Sequence, residues 1–354
     1  MYSKARITAV GTYVPEKVLS NEDISNLVET TDEWIVQRTG MHERRIASSN
    51  EFSTTLCIRA VQNLIDRFHV SIDDVDLIIV ATATPDYMFP NTASQVQTHF
   101  DIPHTGAIDL SAACAGFVYG LIVANGLITS RTNKKILVIG AETLSKITDY
   151  SDRTTCILFG DGAGAALVEY DEHNPSFLGT YMGSNGSGGI HLYQTALSKT
   201  MNGAQLQDTP YLVQNGRAVY KWAVNTVPQG VQKLLQKNHL HVTDIDWFIP
   251  HSVNLRMIES ICERTGISLD NTLMSLQYCG NTSAASIPLA LDIGLKDGKI
   301  TTGNTLLLYG FGGGLVHAGL TFLWDARVVR VRAHIDALAT TRVLSSLLPL
   351  LGAF

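Results

Sequence analysis

The sequence predicts an α/β fold built from two similar halves, and two observations support that prediction. Apolar strand-like runs alternate with helix-like patterns along the chain, as in α/β proteins with mixed sheets. One stretch also recurs, since Ser71–Val80 (SIDDVDLIIV) is similar to His241–Pro250 (HVTDIDWFIP) in the second half of the chain. The same offset along the sequence relates Ile136–Gly140 to Leu306–Gly310. Ordered repeats of this kind indicate an internal duplication.

The elements of each half follow in the same order. In the first half the patterns predict a helix near 53–68, a strand at 76–82, a helix near 91–100, a strand near 105–109, a charge-free helix and a strand at 135–140. In the second half they predict a helix near 216–237, a strand at 246–250, a helix near 254–265, a second charge-free helix and a strand at 304–310. The predicted domains are therefore 1–183 and 216–324. The Gly- and Ser-rich excursion 184–215 joins them, and long loops of this kind tend to be functional.

The two charge-free segments, 110–130 and 271–291, are each as long as a membrane-spanning helix. Small and polar residues such as Gly116, Gly120 and Asn281 interrupt both segments, whereas a spanning helix would be richer in Leu, Ile and Val. We therefore interpret them as helices buried on all sides within a large protein, and expect no membrane association.

The composition limits the possible partners and the compartment. The 354 residues include 45% hydrophobic and 16% charged residues, which excludes a disordered chain. The net charge of −6 offers no basic surface for nucleic acid. The five cysteines are odd in number and show no CxxC spacing, so we expect reduced thiols in a cytoplasmic protein and no metal site.

The C-terminal segment, 325–354, differs in composition from the rest of the chain. It contains four Arg but no Lys and no Glu, and is otherwise mostly Ala, Val and Leu. One interpretation is an amphipathic C-terminal helix. We favour the other, an atypical appendage of non-native origin.

Cys114 is the first candidate for chemistry. It lies in Asp109–Phe117 (DLSAACAGF), where a short strand meets the first charge-free helix. The positive end of a helix dipole favours a thiolate, and the small neighbours leave room for a substrate carbonyl. A buried structural cysteine is the alternative, and the motif alone does not decide between the two.

His251 and Asn281 are the second and third candidates. His251 follows the strand at 246–250, at the sheet edge where α/β proteins place catalytic groups. Asn281 stands near the start of the second charge-free helix, where capping the helix is its ordinary role. The duplication would bring that helix beside the helix of Cys114, which predicts a Cys-His-Asn cluster assembled from both halves.

Two glycine-rich turns follow predicted strands. Phe159–Gly164 (FGDGAG) loosely resembles a dinucleotide loop, but a strand-like segment follows it instead of a helix. Phe311–Gly314 (FGGG) could direct backbone N–H groups at a developing oxyanion, or could be a simple tight turn.

Six motifs in combination point to one family. They are Asp32–Gly40 (DEWIVQRTG), Ala113–Phe117 (ACAGF), Phe159–Gly164, His251 with Asn254–Arg256 (NLR), Gly280–Ser286 (GNTSAAS) and Phe311–Gly314. With them the chain, from Met1 to about Trp324, resembles the 3-oxoacyl-[acyl-carrier-protein] synthase III family, the initiating condensing enzymes of bacterial type II fatty-acid synthesis. The resemblance implies a thiolase-like fold, with two pseudo-symmetric halves and mixed sheets around two central buried helices. It also implies a homodimer.

The resemblance also implies catalytic roles. Cys114 would take the acyl group from acyl-CoA, and His251 with Asn281 would stabilise the enolate formed as malonyl-[acyl-carrier protein] loses carbon dioxide. The N–H groups of Cys114 and Gly313 would form the oxyanion hole, and Phe311 would shield the decarboxylation site. No cofactor or metal is implied beyond the two thioester substrates.

The binding residues are likewise carried over from the resemblance. The predicted CoA contacts are Trp34, Arg38, Arg153 and Asn254. The predicted contacts to the acyl carrier protein are Lys221, Arg256 and Arg264, the last preceded here by the acidic Glu263. Phe89 would cross the dimer interface to close the partner's acyl pocket.

Two other functions remain as alternatives. A Cys-His-Asn hydrolase has the same residues in the same order, but the duplication and the FGGG turn count against it. A related condensing enzyme of secondary metabolism, with another starter or acceptor, is the nearer alternative.

Overall fold

The computed structural model describes residues 2–325. Its strands are β1 (Ala5–Tyr13), β2 (Val18–Ser20), β3 (Glu43–Arg45), β4 (Leu77–Ala81), β5 (Gly106–Leu110), β6 (Lys135–Thr143), β7 (Asp161–Tyr170), β8 (Phe177–Ser184), β9 (Leu192–Tyr193), β10 (Thr200–Met201), β11 (Ala204–Gln205), β12 (Val213–Gln214), β13 (Trp247–Pro250), β14 (Thr305–Gly312) and β15 (Val316–Leu323). Its helices are α1 (Asn21–Ser25), α2 (Asp32–Thr39), α3 (Ser53–Phe68), α4 (Thr92–Phe100), α5 (Gly116–Thr129), α6 (Gly216–Lys237), α7 (Leu255–Thr265), α8 (Leu276–Cys279) and α9 (Ser286–Lys296). The sequence-based prediction for the tail lies, from residue 326 onward, outside the described residues.

Two mixed sheets repeat one topology. The first has the strand order β1-β7-β6-β4-β5 and the second the order β8-β15-β14-β13. In each sheet one pair, β4 with β6 or β13 with β14, is parallel, and the two pairings that follow it, through β7 and β1 or through β15 and β8, are antiparallel. The sheets therefore confirm the two pseudo-symmetric halves of the expected thiolase-like fold. The predicted domain boundaries stay a prediction. Strand β8, within the segment predicted as 1–183, is hydrogen-bonded to β15 of the second sheet.

Helices α5 and α9 lie between the two sheets, as the fold prediction requires. Helix α5 contacts β4, β6 and β7 of the first sheet and β14 and β15 of the second, and α9 contacts β1, β7, β13 and β14. Helix α3 covers β1, β6 and β7, while α6 packs on β8, β14 and β15. Eight of the eleven residues of α9 are buried, and all nine residues of β6 are. Uncharged side chains dominate the central helices because apolar strands surround them.

The extent of the two charge-free helices differs from the prediction. Helix α5 has 14 residues, and its segment also holds the end of β5 and a 3-10 turn at Ala113–Ala115. Helix α9 has 11 residues and follows the short α8 and a 3-10 turn at Ser283–Ala285. The backbone breaks where φ is positive, at 43° in Ala113 and 47° in Ser283. Lack of charge indicated burial for α9, but only seven of the fourteen residues of α5 are buried, so the prediction of burial on all sides was wrong for that helix. Lack of charge did not indicate helix length either.

The same comparison revises the symmetry argument. Helices α5 and α9 begin at Gly116 and Ser286, which are separated by the same offset as the repeated strands. Cys114 therefore corresponds to Ala284, and Asn281 lies earlier than that position in its own half. No helix among residues 2–325 is long and apolar enough to cross a membrane.

Candidate active site

A cavity of about 280 Å³ opens where the two halves meet. Its lining includes five residues that sequence analysis selected: Cys114, His251, Asn281, Phe311 and Gly313. The excursion between the halves contributes Leu192, Tyr193, Gln194, Leu212 and Gln214 to the same wall. The structure therefore brings the predicted cluster together in one space, and the long loop forms part of it.

Cys114 lies in the 3-10 turn between β5 and α5, at the positive end of the helix dipole. Its thiol contacts the hydroxyl of Ser283 and the backbone N–H of Gly313. Burial raises the pKa of the thiol to about 12, since it outweighs these hydrogen bonds, and the nearby charge of Glu142 raises it further. The resting nucleophile is therefore a thiol, although the helix terminus favours a thiolate.

His251 follows β13 and is held from both sides. Its backbone N–H donates to the carbonyl of Tyr309 at 2.8 Å, and its Nδ1 lies 2.8 Å from Oγ of Ser286, the first residue of α9. The edge of its ring meets Phe311, with centroids 5.4 Å apart at 73°. Burial lowers the pKa of the imidazole to about 3, so His251 is neutral at pH 7.

Asn281 is positioned by the FGDGAG motif. Its backbone N–H donates to the carbonyl of Leu158 at 2.8 Å, and its carbonyl accepts from Gly160 N–H at 3.0 Å. A Cβ atom on Gly160 would lie 2.1 Å from the carbonyl oxygen of Cys279, so only glycine permits this approach. The side-chain Oδ1 of Asn281 accepts the Ser283 N–H at 2.9 Å. The motif thus positions Asn281 by close packing, and strand β7 begins within it at Asp161.

The FGGG turn packs directly on the nucleophile. A Cβ atom on Gly312 would lie 2.8 Å from both Cβ and Sγ of Cys114. The next residue, Gly313, directs its N–H at the same sulfur atom. Glycine is therefore needed for backbone to reach the thiol.

Glu142 is a site residue that sequence analysis missed. It is completely buried near the end of β6, and it accepts hydrogen bonds from Ser283 Oγ at 3.0 Å, Thr84 Oγ1 at 2.7 Å and the N–H of Ala83 at 3.1 Å. Burial raises the pKa of its carboxyl to about 7 against these hydrogen bonds. A single acidic residue near the carboxyl end of an apolar strand (KILVIGAET) was the available signal.

The predicted CoA residues lie together on the surface around α2. The guanidinium carbons of Arg38 and Arg153 lie 5.5 and 5.4 Å from the ring centroid of Trp34. Asn254 caps α7, where its Oδ1 accepts the Met257 N–H at 2.9 Å. Helix α7 reaches α2 because Arg256 Nε donates to the carbonyl of Gln37 at 3.0 Å.

The predicted carrier-protein residues are exposed on α6 and α7. Arg264 Nη1 donates to Oδ1 of Asn225 at 2.8 Å, which joins the two helices. Lys221 stands one turn before Asn225 on α6, and Arg256 opens α7. All three basic side chains are exposed, on two helices that pack against each other, and α6 also packs on the second sheet.

Phe89 does not line the cavity of its own chain. It is 87% exposed, next to the exposed Met88 and Tyr87, just before α4.

All five cysteines are free thiols. Among residues 2–325, no group of three or more His, Cys, Asp or Glu side chains is placed to hold a metal ion.

A half-buried cysteine, a neutral histidine and an asparagine line one cavity on a duplicated α/β fold, which is the arrangement expected of an acyltransferase of the thiolase-like condensing class. Family models agree. Residues 108–186 match 3-oxoacyl-[acyl-carrier-protein] synthase III, and residues 235–324 match the C-terminal part of the same family. The chain belongs to the 3-oxoacyl-[acyl-carrier-protein] synthase III family, also called beta-ketoacyl-[acyl-carrier-protein] synthase III.

Individual relatives are similar over most of the chain. "Beta-ketoacyl-[acyl-carrier-protein] synthase III 2" of Bacillus cereus is 61% identical over 325 residues, which cover 92% of this chain and 99% of the relative. The crystal structure of the synthase III from Thermus thermophilus has a TM-score of 0.87 at 40% identity, covering 90% of this chain and 99% of that one. A priming beta-ketosynthase of the R1128 polyketide pathway has a TM-score of 0.84 at 32% identity, covering 91% and 96%.

Proposed function

We propose that this enzyme condenses a short acyl group from acyl-CoA with malonyl-[acyl-carrier protein], which gives 3-oxoacyl-[acyl-carrier protein], CoA and carbon dioxide. The observation that carries the proposal is the meeting of Cys114, His251 and Asn281 around one cavity of about 280 Å³. Family membership supports the same reaction and supports it over a hydrolase. The 61% identity to a synthase III, against 32% to the polyketide priming enzyme, favours fatty-acid initiation over secondary metabolism.

In the first half-reaction Cys114 attacks the thioester carbonyl of acyl-CoA. The tetrahedral intermediate places negative charge on the carbonyl oxygen, which needs hydrogen-bond donors fixed in advance. The N–H groups of Cys114 and Gly313 supply them, since both already face the sulfur atom. Collapse of the intermediate releases CoA and leaves an acyl group on Sγ.

In the second half-reaction malonyl-[acyl-carrier protein] loses carbon dioxide and its enolate attacks the acyl group. Loss of carbon dioxide replaces proton abstraction, so the enolate oxygen needs neutral donors rather than a base. Oγ of Ser286 accepts the Ser252 N–H at 3.3 Å and lies 2.8 Å from Nδ1 of His251, so the donor role requires the tautomer in which the Ser286 hydroxyl donates to Nδ1. The imidazole then carries its hydrogen on Nε2 as a donor.

Asn281 supplies the second donor. Because its Oδ1 is engaged by the Ser283 N–H, the Nδ2 amide is the end left for the substrate. The ring of Phe311 packs against the edge of the His251 ring and would keep water from the malonyl carboxylate, which is lost as carbon dioxide.

The surface groups give the two substrates separate contacts. Trp34, between Arg38 and Arg153, offers a flat ring and two cations to the nucleotide end of CoA. Asn254 lies next to this group, at the start of α7. Lys221, Arg256 and Arg264 offer positive charge to an acidic carrier protein on a chain that is otherwise net negative.

A homodimer is part of the same proposal. Strand β5 is the outer strand of the first sheet, and its Ile108 is exposed. Tyr87, Met88 and Phe89 form an exposed apolar group in the loop ahead of α4. Exposed apolar groups and an open strand edge are features of subunit interfaces, and Phe89 would reach the partner's acyl pocket. The free cysteines favour a reducing compartment such as the cytoplasm.

Intact-mass analysis tests the nucleophile. Incubation with acetyl-CoA should add one acetyl group to the native enzyme and none to Cys114→Ser. The matched control is Cys262→Ser, because serine can keep the contact of Cys262 with Thr272 Oγ1 and the site is remote from the cavity lining. Acetylation of Cys114→Ser at the native rate would exclude Cys114 as the acyl acceptor.

A further inference from the structure

A chain of three polar groups leads from the half-buried Cys114 through Ser283 of the second half to the buried Glu142 of the first half. The Cys114 sulfur contacts the hydroxyl of Ser283, and that hydroxyl donates to Oε1 of Glu142 at 3.0 Å. Ser283 lines the cavity, whereas Glu142 is completely enclosed behind it. Thr84 Oγ1 and the Ala83 N–H fix the other side of the carboxylate.

The nucleophile needs a proton acceptor, and His251 is poorly suited to be one. Because the thiol rests in its protonated form, acyl transfer requires that its proton move. The imidazole of His251 binds Ser286 through Nδ1, and burial lowers its pKa to about 3, so it is a weak base. Helix α5 stabilises a thiolate once formed, but a helix dipole accepts no proton.

We propose that Glu142 acts through Ser283 as the acceptor of the Cys114 proton, and that this relay sets the rate at which Cys114 is acylated. The inference rests on the proposed function, because it concerns the acylation step of that reaction. Glu142 is a positioning residue in this scheme, since it acts through Ser283, which lies between it and the sulfur atom.

The relay balances. The thiol hydrogen passes to Oγ of Ser283 as the Ser283 hydroxyl hydrogen passes to Oε1 of Glu142. The new thiolate attacks the acyl-CoA carbonyl, and the C–S bond to CoA breaks. The released CoA thiolate takes up one proton and leaves as a thiol, which returns Glu142 to its ionised form. The net products are acyl-Cys114 and CoA.

The surroundings of Cys114 and Glu142 favour a negative charge on one of the two groups at a time. The charge of Glu142 contributes to raising the pKa of two thiols, those of Cys57 on α3 and of Cys114. No cation forms an ion pair with Glu142 within residues 2–325. A thiolate at Cys114 is therefore favoured only when Glu142 has taken the proton.

Ser283→Ala removes the relay with little disturbance to the fold. The φ of Ser283 is 47°. Its counterpart in the other half is Ala113, where an alanine adopts a similar φ of 43°, so alanine is compatible with this backbone conformation. The N–H of residue 283, which orients Asn281, is retained in the variant. Glu142→Gln removes the base while keeping an acceptor oxygen for Ser283.

The test is the pH profile of single-turnover acylation by acetyl-CoA, followed by quenched flow and intact mass between pH 5.5 and 9.5. The native rate should rise as Glu142 ionises near neutral pH and then level off. In Glu142→Gln and Ser283→Ala that plateau should vanish, and the rate should rise about tenfold for each pH unit. At pH 7.5 both variants should be about 100-fold slower, a typical contribution of general-base catalysis.

Two controls separate this role from a structural one. Asp292→Asn removes a different buried carboxylate, which joins α9 to Arg67 and Thr12, and should keep the native profile. Glu142→Asp should recover part of the plateau. A rate lowered by the same factor at every pH, or an unchanged profile, would overturn the relay. Absence of any acylation in the native enzyme would instead overturn the proposed function.

Discussion

His251→Asn should change how the stability of the protein depends on pH. The native imidazole is 1% exposed, and burial lowers its pKa from 6.5 to about 3. Between these two values the unfolded chain binds a proton that the folded protein excludes, so this group makes the folded state less stable as the pH falls. The slope is about 1.4 kcal/mol per pH unit. Between pH 7.5 and 5.0 the native protein should therefore lose about 2 kcal/mol that the variant keeps.

The free energy of unfolding of the native protein has to be compared with that of His251→Asn, because Glu142 changes stability with pH in the opposite direction. Its pKa is raised from 4.5 to about 7, so its contribution to stability is full below 4.5 and is lost as the pH rises through 7. The contributions of His251 and Glu142 to the pH dependence of stability therefore partly cancel in the native protein. Subtracting the free energy of unfolding of the variant leaves the contribution of His251.

Urea unfolding at several pH values from 5.0 to 8.5 measures the effect through tryptophan fluorescence. From pH 7.5 to 8.5 the difference in free energy of unfolding should be constant, because the imidazole is neutral in both states. From pH 7.5 down to 5.0 it should change by about 2 kcal/mol in favour of the variant. A difference that stays constant down to pH 5.0 would refute the neutral, buried state of His251 on which its donor role depends.

Three further substitutions test other parts of the site and fold. Gly312→Ala should slow acylation at least 10-fold, because its Cβ would meet Sγ of Cys114 at 2.8 Å, while circular dichroism stays native. Trp34→Ala should raise the KM for acyl-CoA several-fold at unchanged KM for malonyl-[acyl-carrier protein], and an equal rise in both would argue against a CoA contact. Phe89→Asp should shift the protein from dimer to monomer in analytical ultracentrifugation, and a persistent dimer would remove Phe89 from the interface.

The fold could be predicted from the sequence because buried elements have a recognisable pattern of apolar residues. Strands such as β4 and β6 are buried on both faces and read as unbroken apolar runs, and their counterparts repeat that pattern in the second half. The backbone breaks at Ala113 and Ser283 could not be predicted from the sequence, since positive φ is usually found at glycine and neither residue is glycine.

The site was accessible in part for a similar reason. Cys114, His251 and Asn281 stand in distinctive local motifs, so each could be selected singly and then joined by symmetry and by the family resemblance. Glu142 has no such motif, because its importance comes from a contact with Ser283, far along the chain in the other half. Long-range hydrogen bonds of this kind become visible only when the two halves are placed together.

Strand β15 has a consequence for the order in which the enzyme matures during synthesis. It pairs on one side with β14 and on the other with β8, so a strand that ends at Leu323 completes the middle of the second sheet. The first half can close around its own five strands while the chain is still growing, but the second cannot. The FGGG turn directly precedes β15 and reaches the Cys114 sulfur. An unfinished chain therefore carries the Cys114 thiol before the Gly313 N–H can reach it, and we expect acyl-CoA to react with Cys114 only after translation has passed the last strand.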